Sequence, residues 1–94
     1  GITSFPNPFN PTTTLLYKLV DDSDVLLEVY DITGKLVDRL VNEQKQSGYH
    51  SVVWNTSNIN GEPLSSGMYI YRFTTKPTNG NNIYIKTDKL ILMK

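Results

Sequence analysis

Cysteine is absent from the 94-residue chain, which excludes a disulfide framework and a thiolate zinc site. Small eukaryotic extracellular modules often rely on disulfides, so the absence weighs against that class while leaving bacterial export open. An excess of charge of either sign is missing too. Nine basic and nine acidic residues give a formal net charge of +0, whereas nucleic-acid modules carry a basic excess, so no nucleic-acid partner is expected. Long hydrophobic runs do not occur, and a membrane-spanning helix needs roughly 20 apolar residues, so no transmembrane segment is expected. Gly1-Ile2-Thr3 is not a charged and then apolar leader. Any export signal is therefore expected upstream, in a longer polypeptide.

Hydrophobic residues make up 38% of the chain, enough for one core and sparse enough to imply short, half-buried elements. No segment repeats its apolar residues every ~3.6 positions, as a helix would. Phe5-Pro6-Asn7-Pro8-Phe9-Asn10-Pro11 cannot be helix or central strand, because its prolines fix φ and remove amide donors. Beyond it, residues 13–19 alternate Leu15, Tyr17 and Leu19 with Thr14, Leu16 and Lys18. Asp21-Asp22-Ser23-Asp24 reads as a polar turn, and residues 25–30 as a strand with Val25, Leu27 and Val29 on one face. Asp31-Ile32-Thr33-Gly34 supplies a tight turn into a partner strand over 35–41. Residues 42–48 read as a polar loop, in which Glu43 to Gln46 could form a helical turn.

Further strands are expected over 49–55 and 68–75, the second alternating Tyr69, Tyr71 and Phe73 with Met68, Ile70 and Arg72. Between them lies a long connection rich in Ser, Asn, Gly and Pro; residues 77–82 form a turn, and 83–94 carry one long strand or two short ones. Roughly seven strands at spacings of about 8–12 residues predict a single all-β domain over 1–94: a sandwich of antiparallel strands, with a small barrel as the alternative.

Residues that could carry chemistry are few. His50 is the one histidine, and a lone histidine at a strand start is far more often a surface residue than a catalytic base. No nucleophile elbow, phosphate-cradling glycine loop or recognisable pair of catalytic carboxylates accompanies it, so no enzyme activity and no cofactor are expected. Asp21, Asp22 and Asp24 offer oxygen ligands, but without the spacing, glycine and terminal glutamate of an EF-hand they read as turn residues. Asn55-Thr56-Ser57 satisfies the N-glycosylation pattern, which is short enough to arise by chance; Asn10-Pro11-Thr12 is blocked by its proline. Tyr69, Tyr71, Phe73 and Trp54 have the spacing of core residues. A sugar-binding platform would have to come from Tyr30, Tyr49 and Tyr84.

Four features stand in an ordered series: Phe5 to Thr12; Val29-Tyr30-Asp31-Ile32-Thr33-Gly34-Lys35; Trp54-Asn55 followed by Asn60-Gly61-Glu62-Pro63-Leu64 and Ser66-Gly67-Met68-Tyr69-Ile70-Tyr71-Arg72; and the closing Lys89-Leu90-Ile91-Leu92-Met93-Lys94. The chain resembles, over essentially its whole length, the type IX (Por) secretion system C-terminal sorting domain in its PNPFNP-containing form. The middle and later parts of the chain, especially residues 60–71, also resemble the immunoglobulin-like domain of the flagellar hook-capping protein. Both likenesses imply an immunoglobulin-like sandwich. The opening motif and the lysine-ended last strand favour the sorting domain.

That resemblance implies an address label without catalysis. A larger exported bacterial protein carrying it would enter the periplasm by an N-terminal signal, cross the outer membrane by the type IX machinery, and be secreted or held at the cell surface. The implied partners are the outer-membrane secretion machinery and upstream cargo domains of the same polypeptide. Recognition is expected at Gly67, Met68 and Tyr69 and at Lys89, Leu90, Ile91, Leu92, Met93 and Lys94. The last strand is apolar on both faces, so it should be central in a sheet or able to pair with a partner's edge. The Pro-rich opening is expected to resist pairing and to mark off the domain from what precedes it. Two competing readings are a structural or assembly module that packs in a homo-oligomer, and a carbohydrate-binding accessory domain of an extracellular enzyme.

Overall fold

The computed structural model describes residues 1–94 and contains seven strands: β1 (Ile2–Phe5), β2 (Thr13–Leu19), β3 (Ser23–Asp31), β4 (Leu36–Lys45), β5 (Gly48–Trp54), β6 (Gly67–Pro77) and β7 (Tyr84–Leu92). They form a three-stranded sheet of order β1-β2-β5 and a four-stranded sheet of order β4-β3-β6-β7, with every pairing antiparallel. The chain changes sheet between β2 and β3, between β4 and β5, and between β5 and β6. Two separate sheets, each ending in an edge strand on either side, make this a sandwich and rule out the barrel.

Alternation on each strand decides which residues meet between the sheets. Leu15, Tyr17 and Leu19 face Val25, Leu27 and Val29, with Tyr69, Tyr71 and Phe73 beside them, and all are buried. Trp54, at 1% exposure, closes one end, with the rings of Phe9 at 5.7 Å and Tyr69 at 5.5 Å; its Nε1–H donates to the Ser57 carbonyl. Tyr17 packs on Phe73 at 5.1 Å in the middle of the sandwich. The turn into β4 works as expected: Asp31 Oδ1 accepts from the backbone N–H of Thr33 and Lys35, and Gly34 takes φ +87°, where a side chain is disfavoured.

Two expectations are corrected, and one strand joins those expected. Residues 42–45 continue β4, pairing with Val25, Asp24 and Ser23 among others, and only Gln46-Ser47 is left to turn into β5. An edge strand past the end of the core needs no apolar face, so polar Glu43-Gln44-Lys45 concealed it; Glu43 and Lys45 form an ion pair of 2.6 Å. Ser23 and Asp24 belong to β3, not to the turn. β1 was not anticipated, being four residues cut short by a proline. The last segment is one long strand at a sheet edge, which is one of the alternatives its pattern allows.

β7 runs the length of the molecule. Its first residues lie at the pole where Gly1 accepts a hydrogen bond from Lys18 N–H. Its last residues lie at the opposite pole, where Lys94 N–H bonds Ser66 and the Lys94 ammonium meets the Leu64 carbonyl.

Candidate functional site

The Pro-rich opening crosses from the edge of one sheet to the edge of the other and does not merely delimit the domain. β1 is the last strand of the three-stranded sheet, and β7 the last of the four-stranded sheet. Between them, Asn7 turns its carboxamide onto the β7 backbone. Nδ2 donates to the Lys89 carbonyl at 2.8 Å, and Oδ1 accepts from the Ile91 N–H at 2.9 Å. A flanking strand would offer the same donor and acceptor, so one side chain substitutes for one strand residue. Phe9 then continues in main-chain atoms: its N–H donates to the Ile91 carbonyl and its carbonyl accepts from Met93 N–H, both at 2.9 Å. The Phe9 ring is 2% exposed. The prolines suit this task, since a segment that cannot form a regular ladder can still present a few chosen groups.

The regions expected to carry recognition are brought together. β6 and β7 are neighbours in which Met68 stands opposite Ile91, Ile70 opposite Lys89, and Gly67 opposite Leu92. Alternation then divides the residues. Tyr69, Leu90 and Leu92 point into the core, so they act through folding and offer no contact. Met68 (46% exposed) and Met93 lie on the outer face with half-buried Ile91 and Ile70, and Lys89 is exposed beside them. Gly67, at φ +147°, turns the chain into β6. Lys94 is tied back to the connection before β6, at Ser66 and Leu64.

Tyr30, opposite Ile70, extends this face onto β3. Its hydroxyl donates to Glu28 Oε1 at 2.8 Å, and Arg39 Nε holds Glu28 Oε2 at 3.0 Å. Glu28, 8% exposed on an outward-facing position, is thereby satisfied. The bond to Glu28 raises the Tyr30 phenol above its ordinary value, with smaller help from burial. Sequence reasoning missed Asn7 and Phe9, which together form a clasp on β7. The available signal was an asparagine held between prolines, where its carboxamide is free to act in place of backbone.

The other candidates are dispersed. His50 Nε2 lies 2.7 Å from the Gln46 carbonyl, and its ring stacks on Tyr17 at 5.2 Å. Asp22 accepts from Ser47 N–H and Thr78 N–H, and Asp21 from the Asn81 side chain, so these aspartates tie loops together. Asp24 lies apart on β3, and nowhere do three histidine or carboxylate side chains converge. Tyr30, Tyr49 and Tyr84 share no platform: Tyr30 lies on the outer face of the four-stranded sheet, Tyr49 on the three-stranded sheet, and Tyr84 packs edge-on against Phe73 at 6.2 Å.

Residues 10–81 match the sequence profile of the FlgD Ig-like domain. The chain belongs to that family. Solved structures carry the same fold. PorU of Porphyromonas gingivalis, described as dimeric and latent, superimposes with a TM-score of 0.76 at 22% identity, over 97% of this chain and 9% of its own. FlgD from P. aeruginosa gives a TM-score of 0.65 at 27% identity, over 84% of this chain and 59% of its own. PorZ, an essential bacterial surface component of the type-IX secretion system of Porphyromonas gingivalis, gives 0.58 at 19% identity, over 100% of this chain and 12% of its own. The FlgD Ig-like fold of this chain thus corresponds to only part of each of those proteins. No protein with a curated description matches the sequence. The family match begins after Phe9 and ends before β7. The clasp and the strand it grips therefore both lie outside it.

Proposed function

We propose that this domain is a non-catalytic C-terminal sorting domain that directs a larger exported bacterial protein across the outer membrane through the type IX system. The observation that carries this reading is the Asn7 clasp on β7. It physically couples the two features that distinguish the sorting-domain pattern from the hook-cap pattern, the Pro-Asn-Pro opening and the lysine-ended strand. Clasped in this way, β7 presents Lys89 and Ile91 beside Met68 of β6 and Met93 just past its own end, on one outer face, while the final stretch of its edge is closed. The machinery would bind that face, and the cargo would be the domains ahead of Gly1. Destinations on this reading are the cell surface or the medium, by way of the periplasm.

The test is export of a folded reporter carrying this domain at its C-terminus, in a type IX-competent strain and in one lacking the outer-membrane translocon. Translocon-dependent delivery to the surface or medium is expected. Removing residues 89–94 should leave the reporter in the periplasm, but it also takes Leu90 and Leu92 from the core. A Met68→Glu, Met93→Glu double variant changes only exposed positions and is expected to block delivery while the domain stays folded. Normal delivery of that variant would refute recognition at this face. Translocon-independent behaviour of the parent would refute the sorting function.

A second reading, a structural or assembly module like that of the hook cap, is favoured by the family match over residues 10–81. It predicts a reporter retained in both strains.

A further inference from the structure

Each sheet edge exposes a row of backbone groups able to pair with another strand, and natural proteins blunt such edges by recognisable devices. Three of the four edges here carry them. β1 is four residues long, is followed by Pro6, and has its outward Ile2 carbonyl taken by Lys86 Nζ at 3.0 Å. β7 is closed by Asn7 and Phe9 along its final stretch and carries Lys86, Asp88 and Lys89 before it. β4 has two register irregularities against β3, charged Asp38, Arg39, Glu43 and Lys45, and a carbonyl at Val37 that accepts from Ile59 N–H at 2.8 Å. β5 has none of these. Its seven residues, Gly48-Tyr49-His50-Ser51-Val52-Val53-Trp54, contain no lysine, arginine, carboxylate or proline, and its register against β2 is unbroken.

Which β5 groups are free follows from the ladder. Lys18 N–H donates to the Gly1 carbonyl, so even-numbered β2 residues face β1 and odd-numbered ones face β5. Their β5 partners are Gly48, His50, Val52 and Trp54. Tyr49, Ser51 and Val53 therefore turn their N–H and C=O groups outward, and no turn or loop hydrogen bond reaches them. The side chains of Tyr49 (81% exposed) and Val53 (59% exposed) stand on the outer face beside these free groups.

We propose that β5 is a self-pairing interface through which two copies of this chain join their three-stranded sheets antiparallel about a two-fold axis at Ser51. In that register the outward residues meet one another: Ser51 meets Ser51 of the partner subunit, and Tyr49 meets Val53 of the partner subunit, on both sides of the axis. Aromatic against β-branched is a favourable cross-strand pair, no like charges oppose, and His50 falls beside the partner's Val52. The occupant is a second copy because the strand is complementary to itself in this register, as an isologous interface requires. The result is one continuous six-stranded sheet with the β6–β7 face left free. The inference does not depend on the sorting function.

Sedimentation across a concentration series, combined with amide hydrogen exchange, tests it on the 94-residue chain. The parent is expected to dimerise with rising concentration and to protect the Tyr49, Ser51 and Val53 amides as it does so. Ser51→Pro removes an outward donor without touching the β2 ladder, and Tyr49→Lys places a charge at the seam. Both are expected to be monomeric with unchanged circular dichroism. If Ser51→Pro fails to fold, Tyr49→Lys alone decides. A parent that stays monomeric to its solubility limit, a dimer whose β5 amides exchange freely, or a folded Tyr49→Lys variant that still dimerises would each overturn the interface.

Discussion

Asn7 shows how far one side chain can act in place of secondary structure. Its carboxamide makes two hydrogen bonds to the β7 backbone, at Lys89 and Ile91, and a longer one to Ser4 Oγ at 3.2 Å. Asn7→Ala would return the Ile91 N–H and Lys89 carbonyl to solvent, and is expected to cost about 1–3 kcal/mol. Urea unfolding measures the loss, and faster exchange of the Ile91 amide locates it; an unchanged Ile91 amide would show that the clasp is not closed in solution. Trp54 anchors the same end through packing. Trp54→Ala opens a cavity between Phe9 and Tyr69 and should cost about 3–5 kcal/mol, read as a large drop in thermal midpoint. The position of Trp54 was legible from its valine neighbours. Asn7 was not, because its partners stand more than 80 residues away, at Lys89 and Ile91, and local pattern carries no trace of such a contact.

Among the elements, those facing the core on one side announced themselves: β2, β3 and β6 alternate cleanly because one face of each is buried. The elements misread were those released from that constraint. β4 runs polar beyond the core, and β1 is too brief for a period to register. Yet β1 contributes Ile2, 2% exposed, to the same core as Leu15 and Leu90. A chain lacking residues 1–5 should therefore lose about 2–5 kcal/mol, the usual cost of emptying an isoleucine site. Calorimetry of the shortened chain checks this, and an unaltered midpoint would restore the reading of the opening as a mere spacer. The candidate recognition face was half legible in the same way. Its strands were evident, but which residues point outward depended on register across β6 and β7, which no single strand reveals.

The molecule as a whole has neither a disulfide nor a convergent metal-binding cluster, so its stability rests on one shared core rich in tyrosine. Burial pushes the Tyr71 phenol from 10.0 up to about 12, and Tyr17 and Tyr69 rise for the same reason. Raised phenol values mean that the unfolded chain loses its protons first. The contribution of these phenols is therefore fully present below pH 10 and is lost between pH 10 and about 12, about 3 kcal/mol of it from Tyr71. Urea titrations below and within that window should show the decline. A flat profile would indicate that Tyr71 ionises as freely in the folded state as in the unfolded one.

The opposed poles of β7 have a mechanical consequence. Anything fused ahead of Gly1 hangs from one tip of the sandwich, whereas Met93 and Lys94 occupy the other. Nine strand residues separate the two ends, roughly 30 Å at ~3.3 Å per residue. A compact passenger tethered at the near tip and extending away from the sandwich leaves the far one uncovered. The same small grip could then be offered by very different loads, and its reader would have no need to sense what hangs behind it.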